Sequence, residues 1–376
     1  MVRRLLYLNG VCIAFVILFH ATGMGFVSMF AWMERYVSIF QPGYNPIGTP
    51  AYYVLRFFEQ IAVWVIPAFL FISGYFIAFS YGKGNDYRKG WFAALTRSKD
   101  LLIPYLFWSI IVLVLAFVEG MRYSPATLVR MILTGSANPV FYYIPLLIQF
   151  FILSPLLVFL ARKNWKALLI GSAVIQLLVV ASQYPVFLGN QDSALREMIR
   201  WVPNWFFLSR ILWFTAGIVI GFHPTPFKEF IANTKWILLA AALLCIPIGI
   251  WEWETYYRLS GLEWLDHRET FIDTIYSAAL ILSYLAFDQI KWPLKEQLSK
   301  LGVHSFAIYL THSLFITYTA RIIYLLAGRL DIFKYFLGYQ VLLQPILILV
   351  GLFGPLLIIW FVEKTPANKF YKYILG

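Results

Sequence analysis

Apolar residues in this chain come in long blocks separated by short polar connectors, not in strand alternation or the single stripe of a surface helix. The blocks cover 5–30, 52–81, 101–118, 140–159, 167–181, 205–221, 236–250, 271–287, 306–327 and 341–361. About 20 apolar residues at ~1.5 Å each cross the ~30 Å hydrocarbon core of a bilayer. The pattern therefore predicts an all-α, polytopic transmembrane helical bundle with about ten spans. Blocks 167–181 and 236–250 are the shortest. Block 52–81 contains Pro67, which predicts a kink there. The first block is too long for a secretory signal and is read as a retained helix. No internal repeat, low-complexity tract or appended soluble domain interrupts the pattern, so 1–376 reads as a single integral membrane domain.

Composition agrees: 61% of residues are hydrophobic and 13% charged, whereas soluble domains are roughly half apolar and a quarter charged. The net charge of +12 does not imply a nucleic-acid partner, because the cations sit in short connectors between spans. Eighteen of the 30 basic residues fall on the side of the N-terminus, nine fall opposite, and Arg56, Arg210 and Arg321 lie in or at the ends of spans. This bias places both termini in the cytoplasm, in agreement with an even number of spans. Cys12 and Cys245 lie far apart in apolar blocks and form no disulfide framework. No His, Cys or carboxylate spacing suggests a metal site.

A few polar residues stand out inside the blocks. His20 lies ~22 Å along the first helix, where a titratable group needs a partner or a task. It reads either as a neutral imidazole joining two helices or as a general base. His312 lies ~9 Å into the ninth span, and His304 at its mouth reads as a solvated boundary residue. Arg56 and Glu59 share a helical face and can pair or meet a polar acceptor. Ser73 and Tyr75 flank Gly74, where close helix packing is the plain reading. Tyr143 and Gln149 are further polar candidates, and Asp273 sits at the start of the eighth span. Arg97 and Lys99, with Lys83, Arg88 and Lys89, form a basic connector, which suits phosphates or simply marks the cytoplasmic side. The far-side stretch 251–270 mixes Trp251, Trp253, Tyr256, Tyr257 and Trp264 with carboxylates. It reads as an interfacial aromatic belt or a sugar-binding loop.

Five pieces occur together in a characteristic order: GVCIAFVILFH at 10–20, IPAFLFISGYF at 66–76, RSKDLLIPYLFWS at 97–109, FYYIPLLIQFFILSPLL at 141–157 and SFAIYLTHSLF at 305–315. In this order they resemble the acyltransferase-3 family of integral membrane acyltransferases over nearly the whole chain. Asn9 stands where that family usually has an arginine, Asp100 where its basic connector has a second one, and Tyr142 where it has tryptophan. The resemblance implies an acyl-CoA donor, often acetyl-CoA, reaching the protein from the cytoplasm. It implies a hydroxyl acceptor on a carbohydrate or lipid-linked glycan, and no permanently bound cofactor or metal. It casts His20 as the base. Arg97, Lys99, His312, Tyr143, Ser73, Tyr75, Asn9, Arg56 and Glu59 become candidate substrate contacts. A multi-pass protein of a bacterial cytoplasmic membrane is expected. The alternatives are a polar-lipid or solute transporter or flippase, or a catalytically inactive relative.

Overall fold

The computed structural model describes residues 2–29, 47–82, 87–190, 201–261, 269–330 and 336–376. Arg35, Lys83, Arg196, Arg200, Trp264, His267, Arg268, Lys334 and the turn-rich stretch 41–46 lie outside the described residues. Among those described, every regular element is helical. In chain order they are α1 (Val2–Met29), α2 (Pro50–Gln60), α3 (Val65–Tyr81), α4 (Tyr87–Val118) and α5 (Pro125–Thr134). Then come α6 (Tyr143–Ala181), α7 (Tyr184–Phe187), a 3-10 turn (Phe207–Arg210), α8 (Ile211–Phe222) and α9 (Pro224–Ser260). The chain closes with α10 (Phe271–Ala286), α11 (Lys295–Val303), α12 (Ser305–Leu330), α13 (Phe336–Lys364), a second 3-10 turn (Pro366–Phe370) and α14 (Tyr371–Ile374).

Seven described stretches are long and apolar enough to cross a membrane: Arg3–Val27, Pro50–Tyr81, Arg88–Val118, Tyr143–Phe187, Pro224–Ser260, Ser305–Ile323 and Leu343–Lys364. Pro125–Thr134, Phe207–Phe222 and Phe271–Ala286 are shorter apolar helices. The expected blocks 140–159 and 167–181 both fall within α6. Asn164 breaks this helix at φ −155°, ψ 82°, and its Oδ1 accepts from the Ala167 amide at 3.1 Å, capping the second arm of the helix. The two arms fold back on one another. Near one end of α8, Gln149 accepts from the Phe207 amide and Gln176 from the Leu212 amide. Near the other end, His223 lies 3.1 Å from the Ala161 carbonyl and stacks on Trp165. Each arm thus runs the ~18 Å length of α8, whereas a straight α6 would hold Gln149 and Gln176 ~40 Å apart.

At the expected kink before Pro67, a run of turns at 61–64 separates α2 from α3. A proline ring excludes the carbonyl four residues earlier, here that of Val63, so the helix stops short of it. Thr49 caps α2 by accepting from the Tyr52 amide, with Pro50 in the first turn. Three expected connectors are partly helical. Arg88, Lys89, Arg97 and Lys99 lie on α4, and Lys295 and Lys300 on α11. Residues 251–260 continue α9, which ends at Gly261 in the left-handed conformation (φ 61°).

The chain divides into two compact units, 1–65 with 293–371, and 66–292 with 372–374. In the first, α1 and α11 press together at paired glycines. A Cβ on Gly10 would lie 1.7 Å from the Leu298 carbonyl oxygen, and one on Gly302 would lie 2.0 Å from that of Leu6. In the second, α3 and α8 do the same through Gly74, facing the Phe214 carbonyl, and Gly217, facing that of Phe71. Small residues let helix backbones approach where burial against lipid gives no driving force. The C-terminal turn docks on α4, where Lys372 pairs with Asp100 at 2.8 Å and the Trp108 indole donates to the Ile374 carbonyl.

Candidate functional site

The first unit brings two histidines together. His20 on α1 is half-buried, and its ring centroid lies 5.2 Å from that of fully buried His312 on α12. His312 Nδ1 lies 2.8 Å from the Tyr309 carbonyl and 3.1 Å from that of Ile308. Carbonyls only accept, so Nδ1 carries the proton and Nε2 presents a lone pair. That Nε2 is buried and has no partner. His20 makes ring contacts with Phe19 and His312 and no hydrogen bond among the described residues.

Gln344 on α13 is a residue the sequence reading passed over. Its amide donates to the Ala21 carbonyl, one residue from His20, and its buried Oε1 has no partner. A buried acceptor left unpaired costs about 1–3 kcal/mol, which a bound donor would recover. The available signal was an amide inside block 341–361 just before Pro345.

Asn9 is engaged elsewhere. Its amide donates to the Gly302 carbonyl at 2.9 Å and the Ser305 hydroxyl at 2.7 Å, about 16 Å along α1 from His20. Arg56 and Glu59 form a buried pair at 2.6 Å. Arg56 also donates to the Tyr52 hydroxyl and lies 4.6 Å from the Phe26 ring centroid, so the pair anchors α2 on α1. His304 Nδ1 lies 3.2 Å from the Tyr371 hydroxyl, so this residue has a side-chain partner within the first unit rather than being merely solvated.

The remaining candidates belong to the second unit. Arg97 on α4 is half-buried, with Nη1 buried and unpartnered; Lys99 is exposed. Ser73 and Tyr75 are half-buried beside the Gly74 crossing. Tyr143 is buried, 6.1 Å from Phe69 between ring centroids. Gln149 donates to the Pro145 and Trp205 carbonyls, so it binds chain to chain. Asp273 forms a capping box with Thr270 at the start of α10.

Residues 251–260 turn most of their rings inward. Glu252 accepts from the hydroxyls of Tyr184, Tyr256 and Thr270, and Tyr256 stacks on Phe187. Trp253 is buried, whereas Trp251 is 68% exposed. Beside them, Glu269 accepts from Arg210, Trp213 and Gln176. Burial pushes its carboxyl up to about 7, against the opposing pull of Arg210, while Asp273 adds to the rise. A carboxyl raised in the folded state holds its proton more tightly there than when unfolded. Its stabilising contribution is therefore complete below the ordinary value of 4.5 and lost as pH rises towards 7. In detergent, the wild-type melting temperature should fall between pH 5 and 7.5 relative to Glu269→Gln, by the equivalent of at most about 3 kcal/mol. Parallel pH profiles for the two proteins would contradict this.

A family model described as an acyltransferase domain matches residues 4–363, from the first turn of α1 to the last of α13. No curated protein and no solved structure matches the chain. With its long apolar helices and a match over nearly its whole length, the chain belongs to the acyltransferase-3 family of membrane acyltransferases.

Proposed function

We propose that this acyltransferase moves an acyl group, acetyl in the simplest case, from acyl-CoA to a hydroxyl of a carbohydrate or lipid-linked glycan, with His20 as general base. The observation that carries the reading is the half-buried His20 ring, its centroid 5.2 Å from that of His312, whose buried Nε2 has no hydrogen-bond partner. His20 takes the hydroxyl proton as that oxygen attacks the thioester carbonyl. A C–O bond forms, the C–S bond breaks, and the proton passes from the imidazolium to the departing sulfur. His312 Nε2, held as an acceptor by its two carbonyl contacts, steadies the imidazolium while it exists. The cycle uses no resident cofactor or metal; acyl-CoA is a substrate.

Arg97 is assigned to a phosphate of the donor, because its buried Nη1 has a donor to give and no partner. The excess of cations on the N-terminal side supports a cytoplasmic approach for acyl-CoA, in a bacterial cytoplasmic membrane with both termini inside. Labelled acetyl-CoA given to membranes with and without the protein should yield a labelled, alkali-labile glycan or glycolipid only in its presence. Free acyl-CoA left intact by purified protein would instead favour a transporter or an inactive relative. Arg97→Glu should raise KM for acyl-CoA about 10- to 100-fold, the worth of a charge-assisted hydrogen bond, with kcat little changed. An unaltered KM would remove Arg97 from the donor site.

A further inference from the structure

The second unit contains a cavity of about 420 Å³ that none of the steps above uses. Every residue lining it is aliphatic, aromatic or proline, among them Trp165, Leu212, Ala216, Ile220, Phe227 and Leu282. It runs from Leu212 to Ile220 along α8, ~12 Å, which is close to the depth of one bilayer leaflet. One end is marked by Trp165 and Phe227, and cations gather there. Lys166 Nζ lies 5.6 Å from the Trp165 ring centroid and the Arg162 guanidinium 4.7 Å from that of Phe222, with Arg162 Nη2 donating to the Gly82 carbonyl at 2.7 Å. Lys163 follows Arg162 in sequence and Lys228 follows Phe227; both are exposed, and Glu229 is next to Lys228.

We propose that this cavity binds one acyl chain of an anionic glycerophospholipid from the cytoplasmic leaflet, with its phosphate among Lys166, Lys228 and Arg162. The apolar wall excludes water as an occupant. A hydrocarbon chain fits both the lining and the one-leaflet length. The cations at one end select a headgroup of negative charge, and basic pockets between spans on the cytoplasmic side are suited to such lipids. Any groove in a bilayer meets lipid, so headgroup preference distinguishes a built site from bulk solvation.

The test is native mass spectrometry of the purified full chain in detergent with equal dioleoyl phosphatidylglycerol and dioleoyl phosphatidylcholine. The wild type should retain phosphatidylglycerol preferentially. Lys166→Ala and Lys228→Ala should each lower that retention about 5-fold, the effect of one cation at an anionic surface, and leave phosphatidylcholine unchanged. Ala216→Phe, which fills the cavity and spares the cations, should lower retention of both lipids. Ala278→Leu serves the same purpose if the larger ring impairs folding, as judged by melting temperature. Equal retention of both lipids by the wild type would overturn the proposal. So would unchanged retention in the filled variants, or displacement of the lipid by acyl-CoA, which would assign the cavity to the donor.

Discussion

Alanine at position 20 is expected to lower acyl transfer by about 10²- to 10⁴-fold, the range lost with a general base, while the protein still accumulates in the membrane. His20 makes no hydrogen bond among the described residues and its ring is half-buried, so truncation leaves no polar partner stranded. Alanine is also the best helix former, so α1 keeps its local preference. Stability and activity should therefore separate cleanly in this variant. His312→Phe provides the companion measurement. It puts a somewhat larger ring in a fully buried position and removes the Nε2 lone pair together with the two Nδ1 contacts, so folding is checked by melting temperature. If His312 steadies the imidazolium, kcat should fall with KM little changed. Undiminished transfer with alanine at 20 would place the base elsewhere in the chain.

Much of this site could be read from the sequence, because an ionisable residue inside an apolar block is conspicuous. His20, His312 and the Arg56–Glu59 pair all came from that contrast, and the last also from its i, i+3 spacing. What the sequence withholds is which groups find partners. Nothing in a one-dimensional pattern says that His312 spends Nδ1 on two carbonyls, or that Asn9 spends its amide on Gly302 and Ser305. Element boundaries fail for a related reason. Residues 251–260 carry rings and carboxylates that suggest a loop, yet no helix breaker occurs before Gly261, and the polar atoms find one another inside the unit. The turns at 61–64 fall before Pro67 because the disturbed carbonyl precedes the proline. The turn at Asn164 did have a signal: ARKNWK, a basic interruption with an asparagine able to cap the next arm.

A large effect on stability is expected from Gly302→Ala. The added Cβ would lie 2.0 Å from the Leu6 carbonyl oxygen and 3.0 Å from the Gly10 amide nitrogen. Both are backbone atoms, so no side chain can swing aside, and α1 must move by more than an ångström to reach ordinary contact. Overpacking of this kind costs about 1–3 kcal/mol. Separating the helices also strains the two Asn9 hydrogen bonds, worth about 0.5–1.5 kcal/mol each. The total is a large share of the ~5–15 kcal/mol that holds a typical domain folded, so the melting temperature in detergent should drop sharply. Gly23→Ala is the control. A Cβ there meets nothing within 4 Å, and alanine in a helix gains about 0.5–1 kcal/mol over glycine, so its melting temperature should hold or rise. Equal melting of the two variants would mean that α1 and α11 are not in backbone contact. The crossing also bears on chemistry, because Gly10 lies ten residues before His20 and Gly302 ten before His312. The glycine contact thus fixes the register from which both imidazoles are presented. Whatever Gly302→Ala protein remains folded should therefore transfer acyl groups more slowly than the wild type, with the loss in kcat.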